Sequence, residues 1–563
     1  MTSPGTTDEP TGATGPLRAH PTGRQAATDP DDPRADLRWG TVGAAVVDAV
    51  SRGGDREALV DGDLRWSWAE VGRQVERATA AFLAAGIEPG DRVAIWAPNC
   101  AEWVAALLGL QSAGAVLVPL NTRYKGTEAA DILARSRARI LITVDGFLGN
   151  HYPAMLVDHD LPHLERIVVL RSEDGVEPLK TTESWEAFLG SGEGIDPATL
   201  VARRNALSSD TVADLLFTSG TTGRPKGVIC AHGQTLRTVA TWANVVGLGA
   251  SDRYLAVNPF FHSFGYKAGI IAWLVTGGTL LPVPVFDVPE VMRLIATERA
   301  TMLPGPPTLY QTILNHPERG RLDSSSLRLA VTGAASVPVR LVEQMGDDLG
   351  FDTVITAYGL TEGCGFATMC RRDDDATTIA TTSGRAMPGI EVRVAAVNGT
   401  DVPAGEPGEV LVRGYNVMAG YFEDARATAE AIDPDGWLHT GDVGVFDERG
   451  YLKITDRIKD LFIVGGFNAY PAEIENLLLA HPLIAQVAVV GVPDQRMGEI
   501  GAAFVVPVND TTPEPSEIVA WAHANMANYK APKTVHVVEA LPFNAGGKVM
   551  KFELRQRLLE ARP

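Results

Sequence analysis

The chain has 563 residues, a hydrophobic fraction of 45%, and 69 acidic against 49 basic side chains, for a net charge of −20. That length is too great for one core and predicts two to four domains. That charge excludes a nucleic-acid binder, which needs a basic surplus to neutralise phosphates. The four cysteines, Cys100, Cys230, Cys364 and Cys370, are scattered and form no Cys-x-x-Cys pair. A disulfide framework is therefore excluded, a reducing compartment is expected, and each thiol reads as a small buried apolar residue.

Residues 1–38 are rich in Thr, Gly, Pro and Asp. They read as a disordered tail without a secretory signal, so a cytoplasmic protein is expected. From Trp39 onward helical and extended patterns alternate. Residues 69–85 carry Val71, Val75, Ala78, Ala81 and Phe82 at helical spacing, and Gly86 follows. Residues 92–96 read as a strand, 104–110 as a helix and 116–118 as a strand. The apolar stretch 104–120 holds Gly109, Gln111, Ser112 and Gly114, which predicts a buried helix, a turn and a strand and not a transmembrane segment. Strands are also predicted at 212–217, 327–332 and 353–357. Such alternation predicts α/β layers with parallel sheets.

Around 389–415 the texture changes. Extended runs at 390–397 and 408–413, with Pro403, Gly405, Pro407 and Gly408 as turn residues, predict a small antiparallel β region. Asp447 to Gly450 reads as a hairpin turn before a strand at 451–455. Beyond it come a helix at 471–480, strands at 486–492 and 502–506, and a helix at 518–525. The predicted fold class is thus α/β. A large N-terminal domain of layered α/β sheets plus a small β region spans 39–455. A hinge at 456–459 leads to a small mobile α+β C-terminal domain, 460–563.

Residues 217–227 read Phe-Thr-Ser-Gly-Thr-Thr-Gly-Arg-Pro-Lys-Gly. Gly220 and Gly223 let the backbone approach a ligand. Thr218, Ser219, Thr221 and Thr222 offer hydroxyl donors, and Arg224 and Lys226 add positive charge. The loop suits a polyphosphate. It is not the common nucleotide loop, because no hydroxyl residue follows Lys226. By itself it also fits a flexible Gly/Thr turn. Four further segments accompany it: Tyr358-Gly359-Leu360-Thr361-Glu362 at a strand's carboxyl end, where open α/β sheets bind ligands; residues 437–442, ending in Asp442; residues 456–460, with Arg457 and Lys459, followed by Gly465-Gly466; and residues 544–548, ending in Lys548. Taken singly, Glu362 fits a helix cap, Asp442 a turn residue and Lys548 a solvated charge.

Together and in this order, over residues 40–560, the five motifs resemble the adenylate-forming superfamily of acyl-CoA synthetases, luciferase-like enzymes and peptide-synthetase adenylation domains. The resemblance implies that a carboxylic acid attacks the α-phosphate of ATP, and that coenzyme A then displaces AMP from the acyl-adenylate. Two anions meet in the first step. At about 4 Å their repulsion is about 1 kcal/mol in water and about 4 kcal/mol at an effective dielectric of 20. Cations and donors must offset it.

The family's pattern implies catalytic roles for Lys548, Thr361, Glu362 and His262. Glu362 and Thr218 are the Mg²⁺ ligands in this scheme. Lys548 bridges carboxylate and α-phosphate, and Thr361 touches the α-phosphate. The nucleotide is held by Thr218, Ser219, Gly220, Thr221, Thr222, Gly223 and Lys226. Tyr358 stacks on adenine opposite Gly333, Ala334 and Ala335, Gly359 beside it also lines the nucleotide, and Asp442 and Arg457 hold the ribose. Lys459 is the hinge about which the small domain turns between half-reactions, presenting Gly465 and Gly466 to the pantetheine arm.

The acyl pocket is expected between residues 259–265, 304–307 and the segment after Glu362. His262 is the gate at the carboxylate or else a packed aromatic. Gly363, Cys364 and Gly365 leave room for a bulky acyl group. Residues 258–269, 303–310 and 357–370 narrow the similarity to actinobacterial ligases of late sterol breakdown, whose acid is the propanoate of a methylated bicyclic indanedione. Tyr266 or Lys267 would then donate to its keto groups. Phe543 departs from the basic residue that relatives often carry before Asn544. Few residues follow Lys548, so a free-standing ligase is expected, as monomer or homodimer. The alternatives are a medium- or long-chain fatty acyl-CoA synthetase and a non-catalytic nucleotide-binding regulator.

Overall fold

The computed structural model describes residues 32–173, 175–218, 225–333, 337–396, 398–457, 460–464, 467–494, 496–508, 511–543 and 549–560. The helix Trp68–Ala84 shows how the sequence builds this body. Ser67 caps it, its hydroxyl accepting the Glu70 N–H at 3.2 Å. Val71, Val75, Ala78 and Phe82 line its buried face, and Gly86 ends it at φ +74°. The following helix, Ala101–Ser112, is buried on every side except at Glu102. It touches strands of both large sheets, which is why it carries no polar face.

Among the described residues, the first large sheet has eight strands. Its order is Gly420–Tyr421, Lys226–Ala231, Val212–Thr218, Val116–Pro119, Arg92–Trp96, Ala138–Asp145, Arg166–Ser172 and Thr182–Ser184. The first three pair antiparallel and the rest parallel. Arg92–Trp96 and Val116–Pro119 are near-continuous apolar runs, as expected of parallel strands covered on both faces. The second sheet has nine strands, and Arg253–Ala256, Met302–Pro304, Leu329–Gly333 and Thr353–Tyr358 are consecutive parallel neighbours in it. Their carboxyl ends open on one side. A third, antiparallel sheet of four strands runs Ile390–Ala395, Gly408–Gly414, Leu438–Phe446, Leu452–Arg457.

The small C-terminal domain is built on the antiparallel pair Ile484–Asp494 and Gly498–Pro507, with Thr534–Val537 added in parallel. The helices Pro471–Leu478, Pro515–Asn525 and Lys551–Glu560 pack on it. The layered α/β body, the small β region and the α+β unit therefore stand as the sequence predicts. The four cysteines are buried free thiols. Among the described residues, no helix is long and apolar enough to cross a membrane.

Three features differ from expectation. Residues 32–38 do not behave as a tail. Asp32 is 8% exposed and paired with the Arg237 guanidinium, and Ala35–Arg38 is a helical turn packed on the helix His232–Val246. The strand Leu452–Arg457 runs into the segment read as a hinge, because Asp456 and Arg457 still pair with Val443 and Asp442. Finally, Phe264–Ile271 forms a π-helix, which 3.6-residue periodicity does not reveal.

Candidate active site

The strands Val212–Thr218 and Lys226–Ala231 form a hairpin in which Thr218 and Lys226 are the last pair before the loop. Residues 219–224 thus join two paired antiparallel strands. The Thr218 hydroxyl donates to the Lys226 carbonyl at 3.5 Å. The short edge strand Gly420–Tyr421 pairs alongside. The Lys226 ammonium sits 4.8 Å from the centroid of the Tyr421 ring, a cation–π contact. The Tyr421 hydroxyl donates to Glu362 Oε1 at 3.0 Å. Burial, then the neighbouring Glu362 carboxylate, push the Tyr421 phenol well up, so it keeps its proton and stays a donor. Glu362 is on a 3₁₀ turn, Thr361–Gly363, whose backbone is tied down by the Met418 N–H donating to the Glu362 carbonyl at 2.8 Å. Lys226, Tyr421 and Glu362 therefore form one chain of contacts between the first and second sheets.

The residues expected to meet adenine stand at the carboxyl ends of the second sheet. Gly333 pairs with Ala357, so the ends of both strands lie side by side. Tyr358 then donates its hydroxyl to Asp442 Oδ2 at 2.6 Å. Asp442 is 4% exposed and sits on the third sheet, with Arg457 opposite it in register. Gly359 has no room for a side chain, since a Cβ there would lie 2.1 Å from the Gly365 carbonyl oxygen. Among the described residues, no group of three or more His, Cys, Asp or Glu could hold a metal by itself. A hard cation takes both carboxylate and phosphate oxygens as ligands, so the Glu362 carboxylate has the donor chemistry for one.

The segment expected to meet the acyl group is the loop after Arg253–Ala256. Asn99 pins it, donating to the carbonyls of Ala256 (3.0 Å) and Asn258 (2.9 Å) and accepting the Phe260 N–H at 2.7 Å. The His262 imidazole is exposed, which removes the packed-aromatic alternative; its Nδ1 accepts the Phe264 N–H at 3.2 Å. Phe264, Trp242 and Phe366 form an aromatic cluster with ring centroids 5.4–6.2 Å apart. Gly365 approaches this loop, a Cβ there lying 3.3 Å from Ser263 Oγ.

Tyr266 and Lys267 do not serve as the expected keto-group donors. Both are 0% exposed. The Tyr266 oxygen accepts from Gln111 Nε2 at 2.8 Å. The Lys267 ammonium donates to Cys364 Sγ at 3.2 Å and lies 3.4 Å from Asp214 Oδ1. Burial pulls the ammonium's pKa down, but Asp214 and the neighbouring thiols outweigh it and Lys267 stays charged. Burial pushes the Cys364 thiol up, yet the hydrogen bond with Cys230 and the Lys267 charge hold it below the ordinary value.

Ser219, Gly220, Thr221, Thr222, Gly223, Arg224, Ala334, Ala335, Lys459, Gly465, Gly466 and Lys548 lie outside the described residues, as does the side chain of Arg457. Near them, the buried Asp456 carboxylate accepts the Ala472 N–H at 2.8 Å at the start of the helix Pro471–Leu478. Glu475 on that helix accepts the Val489 N–H at 2.6 Å and the Lys551 ammonium at 2.8 Å. Lys551 stands three residues beyond Lys548. The motifs gave no signal for Tyr421, Asn99 or Glu475.

Residues 46–422 match the family described as AMP-binding enzyme, and residues 473–548 match the AMP-binding enzyme C-terminal domain. The 7a-methyl-1,5-dioxo-octahydro-indenyl propanoyl:CoA ligase of Mycobacterium tuberculosis is 50% identical over 523 residues, 92% of this chain and 99% of that protein. The ligase of the same name from Rhodococcus jostii is 48% identical over 520 residues, 92% of this chain and 98% of its own. Among solved structures, ATP-bound MatB from Rhodopseudomonas palustris is similar with a TM-score of 0.78 at 28% identity, covering 92% of this chain and 98% of that one.

Proposed function

The chain belongs to the AMP-binding enzyme family and is an acyl-CoA synthetase using ATP and coenzyme A, and on that premise we propose that its acid is a bicyclic dioxo-indanyl propanoate. The observation that carries the nucleotide half of this reading is the convergence of three sheets on one place. Thr218 and Lys226 come from the first, Tyr358 and Glu362 follow the second, and Asp442 comes from the third, joined by the Tyr421–Glu362 and Tyr358–Asp442 bonds. The acid is supported by the two whole-length ligases of that bicyclic acid, at 50% and 48% identity. Small residues at Gly363 and Gly365 beside an aromatic cluster suit a compact, bulky acyl group.

In this scheme His262 gates the acid, Thr361 steadies the α-phosphate, and the Asp442 carboxylate takes the ribose hydroxyls while Tyr358 holds it in place. Glu362, with Thr218, would hold a Mg²⁺ ion that neutralises phosphate charge when bound. Lys548 brings a mobile cation to the reacting oxygens for adenylation, and rotation about Lys459 then withdraws it for attack by the thiol. Such a lid motion commonly limits turnover.

The test is a panel of acids scored by pyrophosphate release. The bicyclic propanoate should be turned over with a kcat/KM at least tenfold above straight-chain acids. Preference for straight-chain acids would replace it with the fatty acyl reading. Binding of Mg-ATP without AMP formation from any acid would favour a nucleotide-binding regulator.

A further inference from the structure

One buried cation has no part in the chemistry above. Lys267 is fully enclosed, and enclosing an ammonium costs several kcal/mol unless its partners are well placed. Its two partners come from the two elements that carry the phosphate side of the site. Asp214 lies on the strand Val212–Thr218, four residues before Thr218, and is itself 0% exposed. Cys364 directly follows the 3₁₀ turn of Thr361 and Glu362. Lys267 itself sits on the π-helix that begins two residues after His262, on the acyl side. A π-helix is uncommon and concentrates at functional positions.

The sulfur end of this link needs holding. Cys364 adopts φ +55°, a left-handed conformation that is unfavourable for a non-glycine residue. Its Sγ is met by the Lys267 ammonium at 3.2 Å and by the Thr235 hydroxyl at 3.8 Å. The same hydroxyl approaches Asp214 Oδ2 at 3.5 Å, closing the cluster. An apolar side chain at 267 would fill the space but would leave Asp214 uncompensated and Cys364 unheld.

We propose that Lys267 is a positioning residue of the adenylation step: clamped between Asp214 and Cys364, it fixes the turn bearing Thr361 and Glu362 against the phosphate hairpin and the acyl-binding π-helix. The inference rests on the adenylation reading given above. It gives the buried lysine a task other than touching substrate, and it ties acid binding to the geometry of the phosphate side.

The test uses the full chain carrying Lys267→Met with Asp214→Asn, so that no buried charge is left alone, beside Cys364→Ala, which leaves the charge pair intact. In the double variant we expect kcat for pyrophosphate release to fall 10- to 100-fold while KM for the acid changes less than threefold. By calorimetry, affinity for ATP with Mg²⁺ should drop three- to tenfold and affinity for ATP without Mg²⁺ should stay the same. Cys364→Ala should show the same pattern at three- to tenfold in kcat. If the double variant does not fold, Cys364→Ala decides alone. Wild-type kcat and unchanged Mg-ATP affinity in a folded variant would overturn the positioning role and leave the adenylation reading standing. A wild-type protein that releases no pyrophosphate with any acid would overturn both.

Discussion

The two parts of the molecule are held together in different ways. In the large body one extensive core joins all three sheets, from Ala35 to Leu452, with a small satellite of Ala395, Leu411 and Trp437 on the third sheet, and it includes the stacked pair Trp68 and Trp273 with centroids 4.5 Å apart. In the small domain the sheet divides its apolar residues between two faces. Val489, Ala503 and Val505 pack with Ile518 and Ala522 on one side, while Ala488, Val490, Ala502 and Phe504 pack with Leu541 and Leu554 on the other. The alternation is the ordinary consequence of side chains pointing to opposite faces of a strand. It leaves each face thin, and polar anchors such as Glu475–Lys551 supplement it. A preorganised site suits the thick core, whereas local opening is less costly on the thin one.

The largest expected effect tests the thin side. Phe462 is 1% exposed and lies against Gly491 and Gly501, where a Cβ at 491 would fall 2.2 Å from Phe462 Cβ. Phe462→Ala should cost about 3–5 kcal/mol. In scanning calorimetry a low-temperature transition should separate from the main one, which should not move. A common downward shift of a single transition would show that the two parts unfold as one and would break the comparison.

The catalytic counterpart is Lys548→Ala. If Lys548 supplies the transition-state cation as proposed, its removal should slow adenylation by about 10²–10³, and should largely spare coenzyme A attack on a supplied acyl-adenylate. Equal losses in both half-reactions would deny the small domain its alternating role.

A buried histidine sharpens the thick side. His232 is 0% exposed at the first turn of the helix His232–Val246, and its Nδ1 accepts the Val42 N–H at 3.4 Å. Burial pushes its pKa down to about 4, and the positive end of the helix also disfavours an imidazolium. The folded protein thus binds fewer protons than the unfolded chain, whose histidine titrates near 6.5. The contribution is complete above that value and is lost as pH falls from about 6.5 towards 4, up to about 3 kcal/mol over the window. His232→Asn should remove that part of the acid sensitivity of the body's melting temperature. The same pH slope in the variant would place the sensitivity elsewhere.

Much of this contrast was legible beforehand. The strand at 92–96 is found with its predicted bounds, and the helices and strands on both sides of residue 456 are recovered with shifts of a few residues. Periodicity reports burial, and burial is what builds these elements. Among the motif residues that the structure describes, Thr218 pairs with Lys226, Gly333 ends beside the strand of Tyr358, Tyr358 bonds Asp442, and Glu362 bonds Tyr421. What escaped had no local signal. Tyr421 lies on a two-residue edge strand, Asn99 acts across some 160 residues of sequence, and Lys267 looks like a surface donor until its partners at 214 and 364 arrive from distant segments. Asp32 reads as tail composition because its partner, Arg237, is two hundred residues away.

The smallest effect probes where the thick core meets the nucleotide. In Tyr358→Phe the ring remains available to adenine, and the 2.6 Å bond to Asp442 is lost. Asp442 is 4% exposed, so its carboxylate would lose a donor with little water to replace it, a penalty of about 1–3 kcal/mol in stability. Bound ribose hydroxyls would restore donors to that carboxylate, so part of the penalty should vanish in the complex. KM for ATP should therefore change less than about threefold, while the melting temperature of the free protein falls and that of the ATP-saturated protein falls less. A KM that rises tenfold or more would mean that the hydroxyl orients Asp442 for the ribose and does not merely store it, and the body would then be less preorganised than its extensive core implies.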